Sequence, residues 1–270
     1  MGRRDYRRTL NAAYLCAFAF LLATGCGTGR TAPPRAQAAA EEPAPRAPHK
    51  YAVLVNADTG SHHKRNISRA YRTLRTLGFA PADLFVLSPR DRRNPPANGT
   101  PVFKPFPEHF ARVMDGLAAR VEPGDLVVLY GTGHGDTDDG ESLLELRNGE
   151  LWADDLREKV DRLRANTVVI MDQCFSGGFI DAFEGTKSKA LVIATVDRDH
   201  MTYCVPFARA FWDAFLHPEQ ADRNHDGKTS IREAFDVAVK AHRKDLDGDP
   251  ELRATAACRA FNGFDDALLN

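Results

Sequence analysis

Five short apolar runs, separated by segments of helical periodicity, constrain this chain more than any other feature. Residues 51–55, 83–87, 126–130, 167–171 and 190–195 are too short for stable helices and are mostly continuous in their apolar character. Runs of that kind suit strands buried on both faces, as in a parallel sheet. The intervening segments 67–77, 108–121 and 154–163, and the later ones 206–216 and 231–242, read as helices; in 108–121, Phe110, Val113, Met114 and Leu117 share one face. Asn148-Gly149 between 143–146 and 150–151 signals a hairpin. Residues 90–107, rich in Pro, Arg and Asn, read as an exposed loop, and 257–261 as a last strand. The alternation predicts an α/β/α sandwich with a mainly parallel sheet over residues 50–270.

In such sheets ligands and chemistry gather at the carboxyl ends of the strands. Two segments lie there. Gly131-Thr132-Gly133-His134-Gly135-Asp136 follows the third run, and Asp172-Gln173-Cys174-Phe175-Ser176-Gly177-Gly178 follows the fourth. His134 between glycines has no apolar face to join, and the glycines allow close backbone approach. Cys174 alone would read as packing. Neighbouring parallel strands would bring the two side chains to one edge of the sheet. An imidazole beside a thiol favours the thiolate, which attacks a carbonyl, and the imidazolium then protonates the leaving amine. The backbone N–H groups of Gly135 and Cys174 are the expected donors to the oxyanion.

These two motifs, each at the end of an apolar strand, resemble those of the caspase, metacaspase, legumain and gingipain cysteine peptidases over about residues 50–200. The resemblance implies a caspase-like fold and endopeptidase activity by a His134–Cys174 dyad. Asn66, followed by an aromatic-bearing helix and Gly78, is most like bacterial legumain-type relatives. Caspases carry glutamine two residues before the nucleophile where this chain carries Asp172, and no linker for two-subunit processing is evident. In similar metacaspase-like enzymes an acidic residue at that position helps form a pocket for arginine or lysine. Asp197 or Asp199 could add a second carboxylate to such a pocket. Alternatively, Asp172 with Arg198 could hold the neutral amide of asparagine, or Asp172 could simply orient its loop.

Other readings compete at single positions. Ser176 lacks the strand–turn–helix setting of a serine nucleophile. His62 and His63 with Asp58 could ligate zinc, although adjacent loop histidines are usually only solvated. The chain could also be a non-catalytic, calcium-stabilised, lipid-anchored interaction protein on the same fold.

Residues 222–233 match a twelve-residue EF-hand loop. Asp222, Asn224, Asp226, Lys228 (through its carbonyl), Ser230 and Glu233 occupy the ligand positions, and Gly227 the sharp turn. The expectation is a structural calcium ion; the competing reading is an Asx-rich turn leading into a helix. Asp245 to Asp249 is a second, incomplete acidic loop.

The N-terminus reads as an export signal. Arg3, Arg4, Arg7 and Arg8 precede an apolar stretch too short to span a bilayer comfortably. Leu22-Ala23-Thr24-Gly25-Cys26 resembles the bacterial lipoprotein processing box, which implies cleavage after residue 25 and lipid on Cys26; a plain secretory signal is the alternative. The Pro-rich residues 26–49 then form a tether that holds an exported domain at a membrane. Removing four arginines and Asp5 takes a formal charge of -1 to -4. Neither value suggests a nucleic-acid partner; the expected partners are a peptide or protein substrate and, through the lipid, a membrane. Cys16 leaves with the signal, so Cys174, Cys204 and Cys258 remain in an oxidising compartment. With Cys174 reserved for chemistry, Cys204 and Cys258 are the candidates for a disulfide, on counting alone.

Overall fold

The computed structural model describes residues 46–89, 98–202, 204–246 and 255–264. The signal, Cys26, most of the tether and residues 247–249 of the second acidic loop lie outside the described residues, as does the side chain of Cys204. The described body begins at Arg46, four residues before the sequence suggests. Arg46 donates to Asp125 (2.6 Å) and Glu122 (3.0 Å), and the His49 N–H donates to Asp125 (2.8 Å), which fastens this segment to the turn before the central strand.

Seven strands form one sheet in the order β10-β9-β8-β4-β1-β2-β3. They are β1 (Lys50–Asn56), β2 (Leu84–Leu87), β3 (Val102–Phe103), β4 (Leu126–Thr132), β8 (Asn166–Asp172), β9 (Ala190–Ala194) and β10 (Ala257–Phe261). Six are parallel and β10 runs antiparallel to β9. The other strands, β5 (Gly135–Asp138), β6 (Glu141–Leu146) and β7 (Gly149–Trp152), make a separate antiparallel sheet. Asn148 takes φ 67° at its β6–β7 turn, as the Asn-Gly signal requires.

Alternation along the strands sends side chains into two cores. On one face Ala52, Leu54, Val128, Tyr130, Val168 and Ile170 pack against α1 (Ser61–Thr76), α5 (Cys204–Ala214) and α7 (Ile231–Leu246). On the other, Val53, Val127, Leu129, Val169 and Met171 meet α2 (Pro107–Ala118), α3 (Ala153–Asp161) and α4 (Gly177–Ala182). The result is an α/β/α sandwich. The four-residue helix α6 (Pro218–Ala221) completes the elements. No helix among the described residues is long and apolar enough to cross a membrane.

Three local differences from the sequence reading have physical causes. Helix α1 starts at Ser61 rather than 67, because its polar residues His63 and Asn66 are buried with partners at Thr132 and Asp172. Gly135 to Asp138, polar and Gly/Asp-rich, pairs as a strand because β6 offers it a register. Residues 102 and 103 add β3 inside the expected loop, pairing with Val86 and Leu87.

Candidate functional site

Strands β4 and β8 are adjacent and in register to their last residues, Thr132 opposite Asp172. His134 and Cys174 each lie two residues further along. Their segments touch: a methyl group at Gly135 would overlap the carbonyl oxygen of Cys174 and the side chain of Gln173, so only glycine permits this approach. Gly135 and Cys174, expected to serve the oxyanion, therefore meet backbone to backbone. The His134 side chain is 68% exposed and open to a ligand. Cys174 is half-buried, and its thiol donates to the carbonyl of Thr202 (3.6 Å). Phe175 takes φ 59°, a left-handed conformation costly for a bulky residue. Its N–H is held by the His200 carbonyl at 2.9 Å.

A carboxylate stands behind His134. Asp58, on the loop after β1, places Oδ2 3.3 Å from His134 Nε2 and 3.7 Å from His63 Nε2. Partial burial alone would raise the pKa of Asp58, but N–H groups of Gly60 and Thr59 and the two imidazoles outweigh it and hold the group below its usual value. Asp58 thus stays ionised and fixes one ring nitrogen of His134. His63 is buried. Burial, with His62 adding to it, pushes its pKa down to about 4 against the pull of Asp58. It is a neutral ring whose Nδ1 is 2.8 Å from Thr132 Oγ1.

Asp172 is fully buried on the face covered by α1. Oδ2 accepts from Tyr130 Oη (2.7 Å) and Asn66 Nδ2 (3.3 Å), and Thr132 joins this cluster. Oδ1 has no hydrogen-bond partner among the described residues. Burial pushes its pKa up to about 8, and the three side-chain donors offset only part of that. Thr132 joins both clusters, so a polar line runs from His134 through Asp58, His63 and Thr132 to Asp172.

Asp197, Arg198 and Asp199 follow β9, where the Asp197–Arg198 backbone packs against Gly177 of the cysteine loop. Asp197 accepts from Thr255 (2.8 Å) and contacts His200 Nδ1 (2.6 Å). Arg198 donates to Asp181 (2.9 Å) and to the Gly140 carbonyl (2.6 Å), tying α4 to the β5–β6 turn. The Asp199 side chain is solvent-exposed beside Arg198. Asp172 is therefore grouped with Asn66, Tyr130 and Thr132 and not with Arg198. Ser176 is buried, and its hydroxyl accepts from the N–H groups of Thr195 (3.1 Å) and Val196 (3.3 Å). It braces the loop and is closed to substrate. His62 packs on His63 at 3.9 Å between centroids with the rings tilted by 48°, while Asp58 faces both His134 and His63.

The 222–233 segment winds through the Asx turns of the expected loop. Asp222 accepts from the N–H groups of His225 (2.7 Å) and Gly227 (2.8 Å), Asn224 from Asp226 (3.0 Å), and Asp226 from Lys228 (2.9 Å). His225 and Gly227 take φ 61° and 83°. These carboxylate and amide oxygens each keep a further lone pair for a cation. Glu233 is differently engaged. It accepts from the N–H groups of Arg223 (2.7 Å), Asn224 (3.3 Å) and Ser230 (2.9 Å), while Ser230 Oγ accepts from the Glu233 N–H (3.2 Å). The last two bonds are a capping box at the start of α7. Partial desolvation opposes the shift, yet these donors pull the Glu233 pKa down to about 2. Among the described residues no three or more His, Cys, Asp or Glu side chains converge as a metal cluster.

Asp58 and His63 as supports of His134 were missed by sequence reasoning, as were Tyr130 and Thr132. A carboxylate just past an apolar strand, on the same edge as His134, was the signal for Asp58. Tyr130 and Thr132 looked only like strand residues.

No protein-family model matches the chain, and no curated protein matches it. Among solved structures it is similar to the crystal structure of protein GSU0716 from Geobacter sulfurreducens, with 14% identity and a TM-score of 0.56 over 83% of this chain and 97% of that one. That likeness concerns the fold alone.

Proposed function

We propose that the protein is a cysteine endopeptidase on a caspase-like fold, with Cys174 as nucleophile and His134 as its acid and base. The observation that carries this reading is the joint placement of His134 and Cys174 beyond the paired ends of β4 and β8, with Asp58 3.3 Å from the imidazole. His134 takes the thiol proton and the thiolate sulfur bonds to the peptide carbonyl carbon. The oxygen, now negative, is held by backbone N–H groups. As the C–N bond breaks, the imidazolium gives its proton to the leaving amine. Water then donates a proton to His134 and its oxygen displaces the sulfur from the acyl group.

For substrate preference, Asp172 favours a basic residue before the scissile bond, provided that the cover over this fully buried carboxyl opens on binding. With a pKa near 8 the empty site holds this carboxyl protonated at neutral pH. Taking up arginine or lysine would release that proton, so KM for basic peptides should fall as pH rises towards 8 and stay flat for asparagine peptides. The alternative that mixes Asp172 with Arg198 to bind asparagine would require the half-exposed Arg198 guanidinium to leave Asp181.

The reading extends to calcium in the 222–233 loop and to a lipid on Cys26 of an exported chain. Calcium fits the Asx turns, and a bidentate Glu233 would have to exchange its bonds from the N–H groups of Arg223, Asn224 and Ser230 for the ion. Chelation should lower the melting temperature, and an unchanged melting curve would leave only the capped turn. Lipidation should carry the wild type into a detergent phase and leave Cys26→Ser in water. A wild type that stays in water would refute it.

The test of activity is a positional peptide library assayed by mass spectrometry. Wild type should cleave, and Cys174→Ala and His134→Ala should each abolish cleavage with melting curves unchanged. Wild-type turnover in either variant would refute the mechanism. A folded wild type that cleaves nothing would favour the non-catalytic reading.

A further inference from the structure

Cys174 is held by a chain of contacts that reaches a buried histidine on a distant helix. Its thiol donates to the carbonyl of Thr202 at 3.6 Å. The hydroxyl of the same threonine is 2.7 Å from Nε2 of His242. Thr202 is buried, and His242, on α7, has no exposed surface. The His242 ring lies edge-on to Phe207 of α5 at 5.9 Å. Helix α7 is itself pinned at its start by the Ser230–Glu233 capping box. One residue of the chain at 200 accepts the N–H of Phe175, so the segment from His200 to Thr202 clasps the nucleophile loop at two points.

A carbonyl oxygen beside the sulfur has a chemical consequence. It accepts a hydrogen bond from S–H but repels S⁻, so it favours the uncharged thiol. The carbonyl cannot be removed by substitution. Its position can be released, because the Thr202 hydroxyl anchors that residue to His242.

We propose that Thr202 and His242 are a positioning pair that rests Cys174 as a thiol, withholding the thiolate until the segment 200–202 yields. The inference rests on Cys174 being the reactive sulfur of the proposed peptidase, but the contact can be tested without peptide cleavage. The titratable groups on the elements packed here are His134 after β4 with Asp58 after β1, Asp172 at the end of β8, Asp197 and His200 after β9, and His242 on α7. Repeating the measurement in a His134→Ala background removes the imidazole contribution and leaves that of the carbonyl.

The experiment follows the rate of iodoacetamide alkylation of Cys174 against pH, with the site of modification read by peptide mass mapping. Thr202→Val keeps the shape and loses the anchor. Its alkylation midpoint should lie below that of wild type, and Thr202→Ser should restore the wild-type value. His242→Leu should act like Thr202→Val, and His242→Gln, whose amide can reach the hydroxyl, should restore the midpoint in part. Equal midpoints in wild type, Thr202→Val and His242→Leu would overturn the proposal. So would a Thr202→Ser midpoint displaced as far as that of Thr202→Val. Should Thr202→Val fail to fold by its melting curve, His242→Leu against His242→Gln decides the matter. A shifted midpoint alongside undiminished peptide cleavage by Cys174→Ala would uphold the thiol rest and remove the peptidase reading.

Discussion

Two buried carboxyl groups in this molecule are driven in opposite directions. Asp172 ends β8 and Glu233 opens α7; each is under a tenth exposed. Burial pushes Asp172 up to about 8, while Glu233 falls to about 2 although desolvation acts on it in the same sense. The difference lies in the donors. Glu233 accepts three backbone N–H groups fixed by the loop and by the first turn of a helix. Asp172 meets side-chain donors only, and one of its oxygens meets none. One carboxylate was given a role in holding the chain. The other was left unsatisfied at the edge where His134 and Cys174 follow the strands, and unsatisfied buried groups concentrate at sites where a ligand completes them.

The largest expected effect in this comparison is Asp172→Ala. It strips the Tyr130 hydroxyl and the Asn66 amide of their acceptor and leaves a cavity, and should cost about 3 kcal/mol in urea unfolding. Asp172→Asn, close in shape, should cost far less. A similar loss in both variants would mean that volume and not hydrogen bonding decides.

Glu233→Ala comes next, at about 2 kcal/mol, because three N–H groups lose their acceptor at the head of α7. Ser230→Ala removes half of the capping box and should cost about 1 kcal/mol. If Ser230→Ala proves as costly as Glu233→Ala, the carboxylate does no more than cap the helix.

The pH dependence separates the two groups by sign. Glu233 has a depressed pKa, so its contribution is complete above about 4.5 and is lost as pH falls towards about 2. Asp172 has a raised pKa. Between its ordinary 3.8 and about 8 the folded protein holds a proton that the unfolded chain has released, so this group lowers stability as pH rises through that window. Asp172→Asn should flatten the alkaline side of the stability curve, and Glu233→Gln the acid side. A Glu233→Gln curve with the wild-type acid limb would contradict the assignment.

The smallest effect expected is at Arg198. Its contacts with Asp181 and the Gly140 carbonyl are half-exposed, so Arg198→Ala should cost within about 1 kcal/mol. It should also leave asparagine peptides no worse than arginine peptides. A selective loss of asparagine cleavage would return Arg198 to the pocket.

Much of the scaffold was legible because its strands are unmixed apolar runs with Gly or Pro at their ends. The β6–β7 hairpin was legible from Asn148-Gly149 for the same local reason. Strand β5 was not, since Gly135 to Asp138 have low strand propensity and pair only because β6 lies beside them. His134 and Cys174 could be found from the sheet-edge rule and their glycines. Asp58 could not be assigned to His134, because their proximity depends on β1 lying beside β4, a topological fact absent from local pattern. The same holds for Thr202 and His242, which meet across the fold. Asp172 was recognised as an acidic group two residues before Cys174, but its partners Tyr130 and Asn66 come from other elements.

The account stands or falls on a covalent bond at Cys174. Wild-type protein should be quenched in acid during turnover of a peptide ester and its intact mass measured, with the adduct located by digestion. The account predicts one acyl group on Cys174, absent from His134→Ala treated in the same way. Turnover with no adduct at Cys174, or an acyl group on another residue, would contradict it.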